Sequence, residues 1–252
     1  MSRRFKLCTA AVLYALMVAT ASADQIIIQG STTFARHVLT PQEHRLDALS
    51  GHHVTVIPNK SLPGLIALME GRAHLAMISA PLQTELTALN NAMPGFSPDN
   101  LIAHEIGRVK VSVIVHPRNK VRKVSLNDIR RILVGEITNW SELDGANLPI
   151  RVVLVGGGGG VTAVVQDQLL SGRQSKAPNL LYMKSPVQLV QVVEQEPGAI
   201  GFAQWELARQ RFSSELETEN PVEQVLSLVT SGPPTPAIQD VIKAIRTIAR
   251  GS

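Results

Sequence analysis

Along most of this chain, short apolar runs alternate with polar loops punctuated by glycine or proline and with stretches of helical spacing. Gln25-Ile26-Ile27-Ile28 is a β-branched run that predicts a strand, and Gly30-Ser31-Thr32-Thr33 leads out of it. A helix is predicted from Phe34 to Leu49, a second strand at Val54–Ile57, and a loop from Pro58 to Pro63. Leu65, Leu68 and Met69 fall at i, i+3 and i+4, so Gly64 to Glu70 reads as a helix stopped by Gly71. Leu75–Ile78 is a third strand, and Ser79-Ala80-Pro81 is the turn beyond it.

The strand at Val109–Val115 runs into His116-Pro117, a natural crossover into a second lobe. Ser125 stands as the N-cap of a helix that ends near Val134 at Gly135, and Asp128 can only partly imitate the glutamate of a capping box. Trp140–Leu143 reads as a short turn or helix before the strand Ile150–Val155. Five consecutive glycines, Gly156 to Gly160, then lead into a helix from Val161 to Leu170. Residues 186–195 are amphipathic, Pro197 to Phe202 turn into a short strand, and residues 236–249 form a closing helix. No internal repeat is visible.

Strand, polar loop, helix, strand is the rhythm of an α/β architecture with a largely parallel sheet. Such sheets take ligands just beyond the carboxyl ends of their strands. Ser31, Thr32, Thr33, Ser61 and Ser79 all fall there.

The first 23 residues change the bulk picture. Arg3, Arg4 and Lys6 precede an apolar run from Leu7 to Thr20, and Ala21-Ser22-Ala23 is a small-x-small cleavage site. A cleaved signal peptide is expected, with a periplasmic or secreted product; the apolar run falls short of a comfortable membrane span. Cys8 lies before the apolar run, not just after it, which argues against lipidation. Cleavage leaves 229 of 252 residues, lowers the net charge from +4 to +1 and removes the lone cysteine. No nucleic-acid footprint and no thiol chemistry remain to argue from.

Enzyme signals are poor. There is no Gly-x-Ser-x-Gly elbow and no His-Glu-x-x-His, so no catalytic residue, metal site or cofactor is expected. The glycine run lacks the lysine of a phosphate-cradling nucleotide loop and the acidic residue, about 20 positions on, of a dinucleotide fingerprint. His52-His53, with His44, read as surface histidines, since adjacent side chains in an extended segment point opposite ways. Trp140 and Trp205 read as packing residues, and Lys60 as a solvated loop lysine.

Four segments, in order, resemble the phosphate-type periplasmic substrate-binding proteins of ABC transporters. They are Ile26 to Phe34, Ser61 to Leu82, Val124 to Val153 and Val193 to Ala208, and the Gly-x-Ile-x-Asn-Trp core at Gly135–Trp140 is the most specific. The resemblance implies a two-lobed type II periplasmic-binding-protein-like fold with the ligand cleft between its lobes. Residues 24–114 plus 203–252 are expected to form lobe one, made discontinuous because crossing strands serve as the hinge, and residues 115–202 lobe two. The implied ligand is a small oxyanion, phosphate first, and the implied partner a membrane permease served by a monomer.

Carried over by position, the family's first ligand loop is intact at Ser31, Thr32 and Thr33, and its second is matched by Ser61. Ser79 or Ala80 stands where the family often has an Asp or Arg. In the second lobe Val155 falls at the family's arginine, and Gly158, Gly159, Gly160 and Val161 replace Gly-Ser-Gly-Thr. Hydroxyls and helix N-terminal amides can hold an anion without a cation, but losing a charge-assisted contact costs about 1.5–3 kcal/mol. Weaker phosphate binding, another ligand or none is therefore expected. The same fold used as a sensor or partner-binding module is the alternative reading.

Overall fold

The computed structural model describes residues 25–95, 99–156 and 160–250. The expected signal peptide (1–23), and Gly158 and Gly159 of the glycine run, lie outside them.

The β-branched run does form a strand, β1 (Gln25–Gly30), which pairs in parallel with β2 (His53–Pro58) and β3 (Leu75–Ile78). Between β1 and β2 the expected single helix is broken into four short pieces. These are α1 (Thr32–Phe34), a π-helical turn (Ala35–Leu39), a 3-10 turn (Thr40–Gln42) and α2 (Glu43–Ser50). Pro41 accounts for the break, because it has no N–H to donate and its ring crowds the preceding turn. The next helix, α3 (Ser61–Met69), begins three residues ahead of the expected start, with Pro63 accommodated in its first turn. Helix α4 (Leu82–Ala92) follows β3 and was not foreseen.

β4 (Leu101–Val115) is 15 residues long, twice the expected strand. Its first part, Leu101 to Val111, pairs antiparallel with β9 (Val222–Ser231), and its last, Val111 to Val115, pairs antiparallel with β7 (Ala199–Gln204). The two-residue β8 (Ser214–Glu215) also leans on that last part. Beyond β7 the sheet turns parallel again through β5 (Arg151–Val155) and β6 (Leu180–Met183). One mixed sheet thus runs β2-β1-β3-β9-β4-β7-β5-β6. Its two parallel ends are joined by the long antiparallel pair β4 and β9.

Helices cover both faces at each end. On the first, Ile26, Ile28, Phe34, Leu75 and Met77 pack with Leu226 and with Val241 and Ile245 of α9 (Pro236–Arg250). The opposite face is covered by α3, through Leu65 and Leu68 on Ala76, Ile78 and Val229. On the second, α5 (Leu126–Val134) and α6 (Gly160–Leu170) pack on one side around Trp140, Val152, Leu154 and Phe202. Helix α7 (Pro186–Gln195) closes the other side, and α8 (Trp205–Arg209) sits at its margin.

The crossing strands divide between these cores. Val109 and Leu226 belong to the first, Val111 and Val222 to the second. The closing helix packs on the first core, but Ala203, Ala208 and Leu216 pack on the second. Residues 203–216 thus pack with the second core, because β7 is a central strand of that half and α8 and β8 follow it.

Helix α5 has the capping box in full. The Ser125 hydroxyl accepts from Asp128 N–H at 3.0 Å and donates to Asp128 Oδ2 at 2.6 Å, while Ser125 N–H reaches the same oxygen at 3.3 Å. Aspartate serves because the hydroxyl meets it halfway. Ser125→Ala should cost about 1 kcal/mol and lower the melting temperature by roughly 2–4 °C. Scanning calorimetry checks this, and an unchanged melt would count against the box as a stabilising unit.

Candidate functional site

Three hydroxyl-bearing loops leave the carboxyl ends of three neighbouring strands. Ser31 follows β1, Ser61 follows β2 at the start of α3, and Ser79 follows β3; all three are buried. They converge because backbones touch there. Ser31 N–H donates to Met77 O at 2.8 Å, and Asn59 N–H donates to Gly30 O at 2.8 Å. A side-chain Cβ on Gly64 would lie 2.4 Å from Gly30 Cα, so α3 sits directly on the end of β1.

The hydroxyls are not idle. Ser31 Oγ accepts from Phe34 N–H at 3.2 Å and so caps the short turn that follows. Thr32 is exposed, whereas Thr33 is buried and its hydroxyl accepts from Gln204 Nε2 at 2.9 Å. Gln204, at the end of β7, also donates to Gln224 Oε1 at 3.1 Å. Its own carbonyl accepts from Arg36 Nη2 at 2.6 Å and lies 3.2 Å from His37 Nε2. This buried amide therefore ties the loop after β1 to β9 and bonds the Arg36 guanidinium as well. Neither Arg36 nor Gln204 stood out in the sequence, since each is one polar residue beside an apolar run.

Ser61 and Ser79 meet through a residue that sequence reasoning did not single out. Glu85, in the first turn of α4, is 3% exposed. Its carboxyl is hydrogen-bonded to the Ser61 side chain and to the Ser79 backbone. Burial pushes its pKa above the ordinary carboxylate range, and these two bonds pull it back only in part.

On the second half, Gly160 opens α6 with φ +58°. Thr162 pins that helix to β5: its hydroxyl donates to Val155 O at 2.9 Å and accepts from Val155 N–H at 3.2 Å. Thr84 of α4 donates to Asp167 of α6 at 3.2 Å, so the two halves touch across their facing helices.

The remaining candidates take structural roles. His74 Nδ1 lies 3.0 Å from Ile27 N–H, whose donation it accepts, and His53 pairs with Asp47 at 2.9 Å. The Arg209 guanidinium stands 4.5 Å over the half-buried Trp205 ring, and Lys60 is exposed. Among the described residues no three His, Cys, Asp or Glu are grouped to hold a metal, and no helix is long and apolar enough to cross a membrane.

A family model described as a PBP superfamily domain matches residues 18–244. Among curated proteins, the phosphate-binding protein PstS of Bacillus subtilis (strain 168) is 22% identical over 181 residues, which is 72% of this chain. The match spans 57% of that relative's length, little more than half. Among solved structures, an ABC-type phosphate transport receptor from Vibrio cholerae gives a TM-score of 0.69 at 20% identity, covering 88% of this chain and 93% of that one. The regulatory domain of MetR, a LysR family regulator from N. meningitidis, gives 0.58 at 10% identity, covering 90% and 94%. Receptor and regulator alike have the type II periplasmic-binding-protein-like architecture, and so has this chain.

Proposed function

The chain belongs to the PBP superfamily, and from that premise we propose that it is an exported solute-binding protein that captures a small oxyanion, phosphate foremost, for an ABC transporter. One observation carries the reading: buried hydroxyls from three loops stand at the carboxyl ends of β1, β2 and β3, where such sheets take ligands. The phosphate-binding relative and the phosphate receptor named above support the same ligand class. In this reading Ser31, Thr32, Thr33, Ser61 and Ser79 face the anion from the first lobe, and Gly160 at the start of α6 faces it from the second. The donor set is built for binding rather than turnover. The protein works as a periplasmic monomer whose two lobes are joined by β4 and β9, and a permease is its partner.

Calorimetry with phosphate, sulfate and molybdate on the chain from Asp24 onward tests this. Phosphate is expected to bind, and at 100 times its dissociation constant to stabilise the fold by about 2.7 kcal/mol. Thr33→Val should weaken it about tenfold, the worth of one hydrogen bond of about 1.4 kcal/mol. Silence from every oxyanion in both calorimetry and thermal melting would overturn the reading.

A further inference from the structure

The first-lobe anion seat already contains an acid. Glu85 is almost wholly buried, and its carboxyl bonds to the Ser61 side chain and the Ser79 backbone, two groups that the proposed function gives to the ligand. Its Oε1 is buried with no hydrogen-bond partner. Both the free N–H groups and the dipole at the start of the nine-residue α3 draw negative charge to this spot. A carboxylate and an incoming oxyanion want the same donors.

The elements around Glu85 carry few charges. Helix α3 carries no ionisable residue between Ser61 and Met69, and neither β3 nor the Ser79–Pro81 turn carries one. Lys60 and Glu70 flank α3, Glu85 is the only ionisable group on α4, and Asp167 of α6 faces its neighbour Thr84. The proton affinity of Glu85 is set by burial and by its bonds to Ser61 and Ser79. Two like charges sharing a buried site do not both remain ionised.

We infer that Glu85 is an internal occupant of the anion seat, and that capturing an oxyanion requires its carboxyl to take up one proton from solvent. The inference rests on the oxyanion reading above. The proton adds to the carboxylate, the negative charge leaves Glu85, and the Ser61 and Ser79 donors turn to the ligand. The neutral carboxyl then offers its O–H as one more donor.

Sulfate is the clean probe, because its own charge is constant across neutral pH; phosphate, corrected for its own titration, gives the same reading. Calorimetry from pH 5.5 to 8, in two buffers of different ionisation enthalpy, counts protons on the wild-type protein without any substitution. The expected result is about one proton taken up per anion, with affinity falling about tenfold per pH unit once Glu85 is ionised. Glu85→Gln should remove the pH dependence and bind at least tenfold more tightly at pH 8. No proton uptake by the wild type would overturn the inference, as would a variant that binds more weakly at every pH or keeps the wild-type profile. Should the variant fail to fold, the wild-type proton count decides alone. If wild type and variant both fold and neither binds any oxyanion at any pH, it is the oxyanion reading itself that has failed.

Discussion

Replacing Gly64 by valine should lower stability by about 3 kcal/mol and abolish measurable anion binding. The site exists because three backbones meet with no side chain between them. A Cβ on Gly64 would stand 2.4 Å from Gly30 Cα and 2.6 Å from Gln29 O, distances that side chains do not tolerate. Its neighbours are main chain and have no rotamer to change, so α3 must lift away from β1. Gly30 closes the other side: its φ is +136°, and a Cβ there would meet Met77 O at 2.2 Å. Lifting α3 carries Ser61 away from Ser31 and Ser79, which separates the donors the proposed function needs together. Gly51→Ala is the control. Its φ of +73° is unfavourable for alanine, at about 1–2 kcal/mol, but nothing lies within 4 Å of the added Cβ. If Gly64→Val melts no lower than Gly51→Ala and still binds phosphate, the close approach is not what builds the site.

The ends of the parallel strands were legible in the sequence because their β-branched runs are short and stop at glycine, proline or serine. β1 and β2 extend one or two residues beyond their predicted ends, and β3 coincides with its prediction. The first half of β4 was not legible. Leu101 to Arg108 is exposed or half-buried at every position, so it has no apolar face to betray a strand. β9 does alternate, burying Val222, Gln224 and Leu226 in turn. That run has meaning only beside the β4 half that the pattern hides. The site divides the same way. Ser31, Ser61 and Ser79 are found by position after strands. Glu85 reads as an ordinary acid in the first turn of a helix, where it would complement the dipole from solvent. Only the packing of α4 on α3 turns it into a buried carboxyl at another helix's N-terminus. Gln204 and Gln224 are likewise made significant by partners far along the chain, Thr33 and Arg36 among them.

The most distinctive sequence segment, Gly135 to Trp140, carries the other large effect, and it acts on stability rather than on binding chemistry. Each of its marked residues has a mechanical reason. Gly135 takes the left-handed cap of α5 at φ +83°, and Ile137 is buried in the second core. Asn139 Oδ1 accepts from Ser141 N–H at 3.0 Å and from Leu148 N–H at 3.1 Å, fixing the turn that aims the next side chain inward. Glu142 completes that turn, its carboxyl held below the usual range by the Thr138 and Asn139 backbone N–H groups. Trp140 is then 1% exposed among Val152, Leu154 and Phe202, and its indole N–H donates to Gly198 O at 3.0 Å. Trp140→Ala should therefore cost about 3–5 kcal/mol through the cavity it leaves, a fall in melting temperature of roughly 6–20 °C for a chain of this size. Trp140→Phe keeps most of the apolar volume and loses the indole donor. Gly198 O is not orphaned by that loss, since Arg151 N–H also donates to it at 2.9 Å. The phenylalanine variant should thus lose only about 1–2 kcal/mol. Denaturant unfolding of the pair decides between packing and hydrogen bonding as the reason for the tryptophan. Equal losses in the two variants would show that the single indole bond, and not the filled volume, holds this half of the molecule together.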